Sequence, residues 1–158
     1  MKETAATAQA AQKKTSDEIA QALEDLLTTV VLEDGDVDYV CVLDFRKNVK
    51  QHNCIRFEPR SLNQKRPIAI QHIRELALIE RQKYQSEPYS EERFEKTKSM
   101  MCYWVPMPIT DYVIFFASSD MHPEAERVFK MEVDDRKQEI TNLLGELRSE
   151  MHSLAKGQ

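Results

Sequence analysis

From His122 to Ala155 the chain carries one long helical pattern, and that pattern limits the fold more than any other feature. Pro123 stands near its first position, where a missing N–H costs nothing. Glu124 and Glu126 follow in the first turn, where the helix dipole favours carboxylates. Val133, Ile140, Leu147 and Leu154 recur every seven residues, and Leu143, Leu144 and Met151 fill the neighbouring seam position. Arg136 and Lys137 weaken the first part of this seam, and Gly145 its middle. A helix of about 30 residues is about 45 Å long, whereas a typical strand covers about 17–20 Å. Helix 122–155 therefore outruns any small sheet it packs on. The seam predicts a homodimer interface of Val133, Ile140, Leu144, Leu147, Met151 and Leu154, joined by the helix at 16–32.

Upstream, Thr15 and Glu18 form a T-x-x-E capping box. Behind it Ile19, Leu23, Leu26, Leu27, Val30 and Val31 mark one face of a helix over 16–32, ended by Asp34-Gly35-Asp36. Segments 38–45 and 52–58 read as strands joined by a turn, with Val42 facing Ile55 and Val40 facing Phe57. Both faces of that hairpin hold apolar residues, so the sheet is expected to be covered on both sides. Ile68, Ile70, Ile73, Leu76, Leu78 and Ile79 place a second helix at 68–84 with a wide apolar arc, Pro67 fitting its first turn. Residues 91–99 read as a short exposed helix carrying Phe94 inward. Segments 100–107 and 112–118 form a second hairpin, with Val105 against Ile114, Tyr103 against Phe116 and Trp104 against Phe115. Pro106 and Pro108 cannot donate ladder bonds and imply an edge or a bulge. The class is thus α+β: an antiparallel sheet of two hairpins flanked by helices. It forms one domain over 15–156, behind a flexible arm at 1–14 that has no apolar face to dock.

The 158 residues carry 22 basic and 27 acidic side chains, a net charge of −5, which argues against a general nucleic-acid binder. Two short basic clusters, Arg60 to Arg66 and Arg46-Lys47 with Lys50, read as solvated loops. No apolar run is long enough to span a membrane, and the N-terminus shows no secretory h-region. Cys41, Cys54 and Cys102 are odd in number and widely spaced, which reads as free thiols in a reducing cytoplasm. No phosphate loop, nucleophile elbow or zinc signature is present. His52 with Cys41 and Cys54 could converge, but their spacing fits no zinc site, so buried apolar thiols are the better reading. Asp34 to Asp38 lacks the closing Glu of a calcium loop. His72 reads as solvated, and His122 as structural at a helix start. No cofactor, no metal site and no catalytic residue are expected, and the chain is read as a non-enzyme.

The second hairpin concentrates aromatic and Met residues. A packed core is the plain reading. Two others stay open: a ligand pocket lined by Tyr103, Trp104, Phe115 and Phe116, and a surface for a partner protein.

The order of elements is similar to small signalling and scaffold folds of the GAF, PAS and roadblock type. The run Met100-Met-Cys-Tyr-Trp-Val-Pro-Met-Pro108, then Val113-Ile-Phe-Phe-Ala-Ser-Ser119, then Pro123-Glu-Ala125 and a long helix resembles the close of a GAF domain. The helix between the two hairpins resembles the shorter roadblock layout better. Either resemblance implies a regulatory or sensory domain that acts as a homodimer, with a small-molecule ligand as an option. The bulk properties are also similar to type III secretion chaperones, which implies an adaptor that recruits another protein through a sheet edge or Met-rich surface.

Overall fold

The computed structural model describes residues 15–62, 70–108 and 110–156, with side chains up to Ser149. The expected arm at 1–14, and the helix start expected at Pro67 and Ile68, lie outside the described residues, as do the side chains of Met151 and Leu154. The elements run α1 (Ser16–Glu33), β1 (Tyr39–Asp44), a 3-10 turn (Gln51–Asn53), β2 (Ile55–Phe57), α2 (Ile70–Ser86), β3 (Arg93–Lys96), β4 (Met101–Pro106), β5 (Tyr112–Ser118) and α3 (Ala125–Lys156). The five strands form one antiparallel sheet in the order β2-β1-β5-β4-β3.

Local chemistry sets the boundaries. Thr15 Oγ1 accepts the Glu18 amide at 3.2 Å, so α1 begins where the capping box places it. The β4–β5 ladder follows the expected register, with Tyr103 opposite Phe116, Trp104 opposite Phe115 and Val105 opposite Ile114. Pro106 fits for two reasons. Met107 N–H bonds Tyr112 O at 2.9 Å, so the adjoining Pro106–Val113 pair is a non-bonded one and the proline nitrogen points away from β5. On that other side the ladder with β3 stops at the Arg93–Trp104 pair, so Pro106 lies beyond it.

Two expectations are corrected. Residues 93–96 are an edge strand, not a helix, paired Arg93 to Trp104 through Lys96 to Met101. The first hairpin is shorter and shifted: Gln51–Asn53 is a 3-10 turn, Val42 lies opposite Phe57 and Leu43 opposite Ile55. Two neighbours on β1 thus face two residues on β2 that are not neighbours, which makes Arg56 the extra residue of a bulge. The bulge lets Phe57 join one core and Ile55 pack against the other, although a regular strand would put both on one face.

β1 is buried at every position because both faces of the sheet are covered. On one face Val40, Val42, Met101, Val105, Ile114 and Phe116 pack with Ile19, Leu23, Leu27 and Val30 of α1 and Phe129, Val133, Ile140 and Leu144 of α3. On the other, Tyr39, Cys41, Leu43, Trp104, Val113 and Phe115 pack under Ile73, Ala77 and Tyr84 of α2. Tyr39 at the start of β1 lies opposite Ala117 near the end of β5, so α1 arrives where α3 departs and the two helices run in opposite senses.

Candidate functional site

Trp104 and Phe115 stack in the core beneath α2, with centroids 4.0 Å apart and planes 7° from parallel. Phe116 and Tyr103 point the other way. Phe116 is fully buried against the α1/α3 core, and the half-buried Tyr103 donates its hydroxyl to Glu92 at 2.7 Å. The four residues expected to line one pocket are therefore divided between the two faces, and a sheet separates them. Tyr89 and Arg93 bind Glu80, a carboxylate only 2% exposed beneath α2, at 3.2 and 3.1 Å. Burial raises the Glu80 pKa, against the attraction of Arg93.

All three cysteines are free and buried. Burial pushes the Cys41 thiol far above its ordinary range, raises Cys54, and takes Cys102 up to about 12. Thiolate is the nucleophilic form, so these sites are poor places for cysteine chemistry near neutral pH. His52 is exposed while Cys54 is buried, and no described group of potential ligands contains either.

At the edge where β1 starts and β5 ends, Asp36, Asp120 and His122 bring three ligand-type atoms within 4.8 Å of one another. The Glu124 amide donates to His122 Nδ1 at 3.1 Å, so that nitrogen must present a lone pair. The proton of the neutral ring is then on Nε2, which faces Asp36 Oδ1 at 3.2 Å and Asp120 Oδ2 at 3.3 Å. A donor between two carboxylates is satisfied as it stands. A metal on Nε2 would displace that proton to Nδ1 and cost the bond from Glu124. Burial raises the Asp36 pKa, and the facing Asp120 adds to it. His122 is thus a cap for the approach to α3, as the sequence implied. The nearby acids are also engaged: Glu132 accepts the Asp36 amide at 2.9 Å, Asp38 binds Ser119, and Asp34 binds Arg136 at 3.1 Å.

The opposite edge differs. Depressions of about 290, 540 and 670 Å³ adjoin there, and all three are lined by Arg46 at the start of the β1–β2 loop. The sequence alone implies plain solvated surface for this loop. Its basic pattern was visible, but Arg148, which lines one of the depressions, comes from the far end of α3.

Of the residues expected at a dimer seam, Val133, Ile140 and Leu144 are 0% exposed and Leu147 is 5% exposed, all in the core shared with α1. The seam within the described residues is occupied by this chain's own helix and sheet. Arg136 and Lys137 bridge to loops rather than weakening it, Arg136 to Asp34 and Lys137 to Glu92 at 2.8 Å.

No helix among the described residues is long and apolar enough to cross a membrane. No family model matches the chain, and no curated protein matches its sequence. Its structure is similar to a solved one described as "MglB with tetrameric arrangement", with 12% identity and a TM-score of 0.58, over 82% of this chain and 92% of that one. At that identity the likeness concerns the fold alone. It supports the roadblock-like layout: a five-stranded antiparallel sheet between one helix and a pair that includes the long C-terminal helix.

Proposed function

We propose that this protein is a non-enzymatic regulatory or adaptor domain that works through self-association and contact with another protein. The observation that supports this reading most is the whole-fold likeness to MglB, solved in a tetrameric arrangement.

The self-association we propose uses the distal turns of α3. The core residues Val133, Ile140, Leu144 and Leu147 are already committed within the chain, while Met151 and Leu154 continue the same heptad spacing in the sequence. α3 has 32 residues, a length of about 48 Å, against six or seven residues in β4 and β5, so its last turns pass beyond the sheet. Native mass spectrometry and sedimentation velocity test this directly. The expected result is a multiple of the 18.4 kDa chain at tens of micromolar, shifting to monomer in Met151→Asp/Leu154→Asp with an unchanged circular dichroism spectrum. Ile140→Asp is unsuitable, since it buries a charge in the core. A wild-type monomer at those concentrations would overturn the reading. A retained small molecule in the native mass would instead favour a sensory role.

A further inference from the structure

We propose that the groove around the β1–β2 loop is a docking site for an acidic peptide segment of a partner protein. The proposal rests on the adaptor reading and names the chemistry of the partner. Its centre is Arg46. Asp44, with a side chain 2% exposed, accepts Nε at 3.0 Å and Nη2 at 2.7 Å, while the arginine side chain stays 52% exposed. A buried carboxylate thus fixes the direction of an accessible guanidinium. The Nη1 donors make no bond among the described residues, so the group retains hydrogen-bonding capacity for a carboxylate. Arg46 stands where the three depressions meet, so any ligand running along the groove passes it.

The surrounding charge is mostly positive. Lys47, Lys50, Arg56 and Arg148 also line the depressions, and all are exposed. None of them makes an ion pair among the described residues. The bulge that shifts the first hairpin makes Arg56 the extra residue of β2 and leaves it exposed beside the loop. Against these five cations the described lining holds two acids. Asp44 is spent on Arg46, and Asp111 accepts the Tyr84 hydroxyl at 2.9 Å. A chain of net charge −5 has therefore gathered uncompensated positive charge on one groove.

The same observations select the occupant. A second copy could not dock its other edge here, because the carboxylates there are held by Arg136, His122, Ser119 and backbone amides of their own chain. A nucleic acid meets an overall negative protein, and of the described aromatic residues in the lining Phe45 and Tyr84 are buried against each other at 5.3 Å, leaving the half-buried Tyr112 alone for a base to stack on. An acidic peptide needs neither a stacking platform nor a positive net charge. Asn48 and Asn53, exposed in the lining, offer amides to its backbone.

The test is fluorescence anisotropy of the full chain with a labelled twelve-residue Glu/Asp-rich peptide, a Lys-rich peptide of equal length, and a single-stranded oligonucleotide. The acidic peptide should bind, weakening as salt rises from about 50 to about 300 mM. Lys47→Glu/Lys50→Glu/Arg56→Glu should weaken it by about tenfold or more, and so should Arg148→Glu combined with Lys50→Glu, which alters the loop less. Lys98→Glu/Arg127→Glu/Lys130→Glu changes the net charge equally but lies outside the groove lining, and should leave binding within about twofold. Equal weakening by both triple variants, binding of the Lys-rich peptide, no saturable acidic-peptide binding, or tighter binding of the oligonucleotide would each overturn the proposal. Sedimentation of the groove variants separates the two readings: the oligomer should persist when peptide binding is lost.

Discussion

The two faces of the sheet are built on different plans. The α1/α3 face is mainly aliphatic, with Leu, Val and Ile and the single Phe129 from two helices meeting Val, Met and Phe from the strands. The α2 face is aromatic and partly charged: Tyr39, Phe45, Tyr84, Trp104 and Phe115 fill it, and Glu80 and the Trp104 indole N–H are buried in it. Geometry accounts for the contrast. Five strands about 4.8 Å apart span about 19 Å, whereas one helix with its side chains is about 10–12 Å wide. A pair of helices covers that width with ordinary aliphatic residues. A single helix leaves the flanks short, so the sheet must raise larger side chains to meet it. Toward β3 the remaining gap is closed by Arg93, Tyr89 and Glu80. Coverage by fewer helices is thus offset by bulk and by polar groups that must find partners.

The largest expected effect breaks the two-helix face. Phe129 is 0% exposed between α3 and the sheet, so Phe129→Ala should cost about 3–5 kcal/mol in urea unfolding. Trp104→Phe tests the other face and should cost less, about 1–2 kcal/mol, because it deletes an indole N–H that has no partner among the described residues along with the lost volume. If Trp104→Phe costs as much as Phe129→Ala, packing on the α2 face is as tight as on the other, and the contrast fails.

The charge on the α2 face should show in pH. The Glu80 pKa is raised in the fold above its usual 4.5, so the native state holds that proton longer than the unfolded chain. Bound protons in excess on the native side mean that stability falls as pH rises from about 4.5 through the raised value. Glu80→Gln retains hydrogen-bonding atoms but cannot ionise. The stability of wild type relative to Glu80→Gln should therefore decline between about pH 4.5 and 7, read from urea midpoints. A rise over that window would mean that attraction to Arg93 outweighs burial.

The smallest effect sharpens the comparison on the first face. A Cβ placed at Gly145 meets nothing within 4 Å, so the glycine serves no close approach. Gly145→Ala should stabilise the protein by about 0.5–1 kcal/mol, seen as a higher thermal midpoint, through helix propensity alone.

What could be read from the sequence follows the same physics. Alternating apolar residues around a short turn specified the β4–β5 register, because a one-residue slip would expose every core side chain. The same alternation separates Tyr103 from Trp104 and Phe115 from Phe116, so a shared pocket for the four was never compatible with the hairpin. β3 escaped because an edge strand carries charge by design: Arg93, Glu95 and Lys96 leave Phe94 as its one apolar residue. The heptad seam of α3 correctly announced burial. Periodicity says that a face is covered but not by which chain, and for Val133 to Leu147 the cover is α1. The groove was hidden because its residues meet only after folding, Arg46 and Arg56 from one hairpin and Arg148 from the last helix.

The strand order also has a consequence in time. β3, β4 and β5 are successive in the chain and pair through short turns, so this meander can close at little entropic cost. β1 must wait, because Tyr39 pairs with Ala117 and the whole of α2 and the meander lies between them. The β1–β5 ladder is therefore the slow, high-contact-order step of folding. In a chain made from its N-terminus, β1 emerges long before β5 exists, with only short β2 to pair with it. Until about residue 118 has left the ribosome, six consecutive residues that are buried in the fold stay without their main strand partner, which makes Tyr39–Asp44 the segment where a nascent chain is most open to wrong pairing.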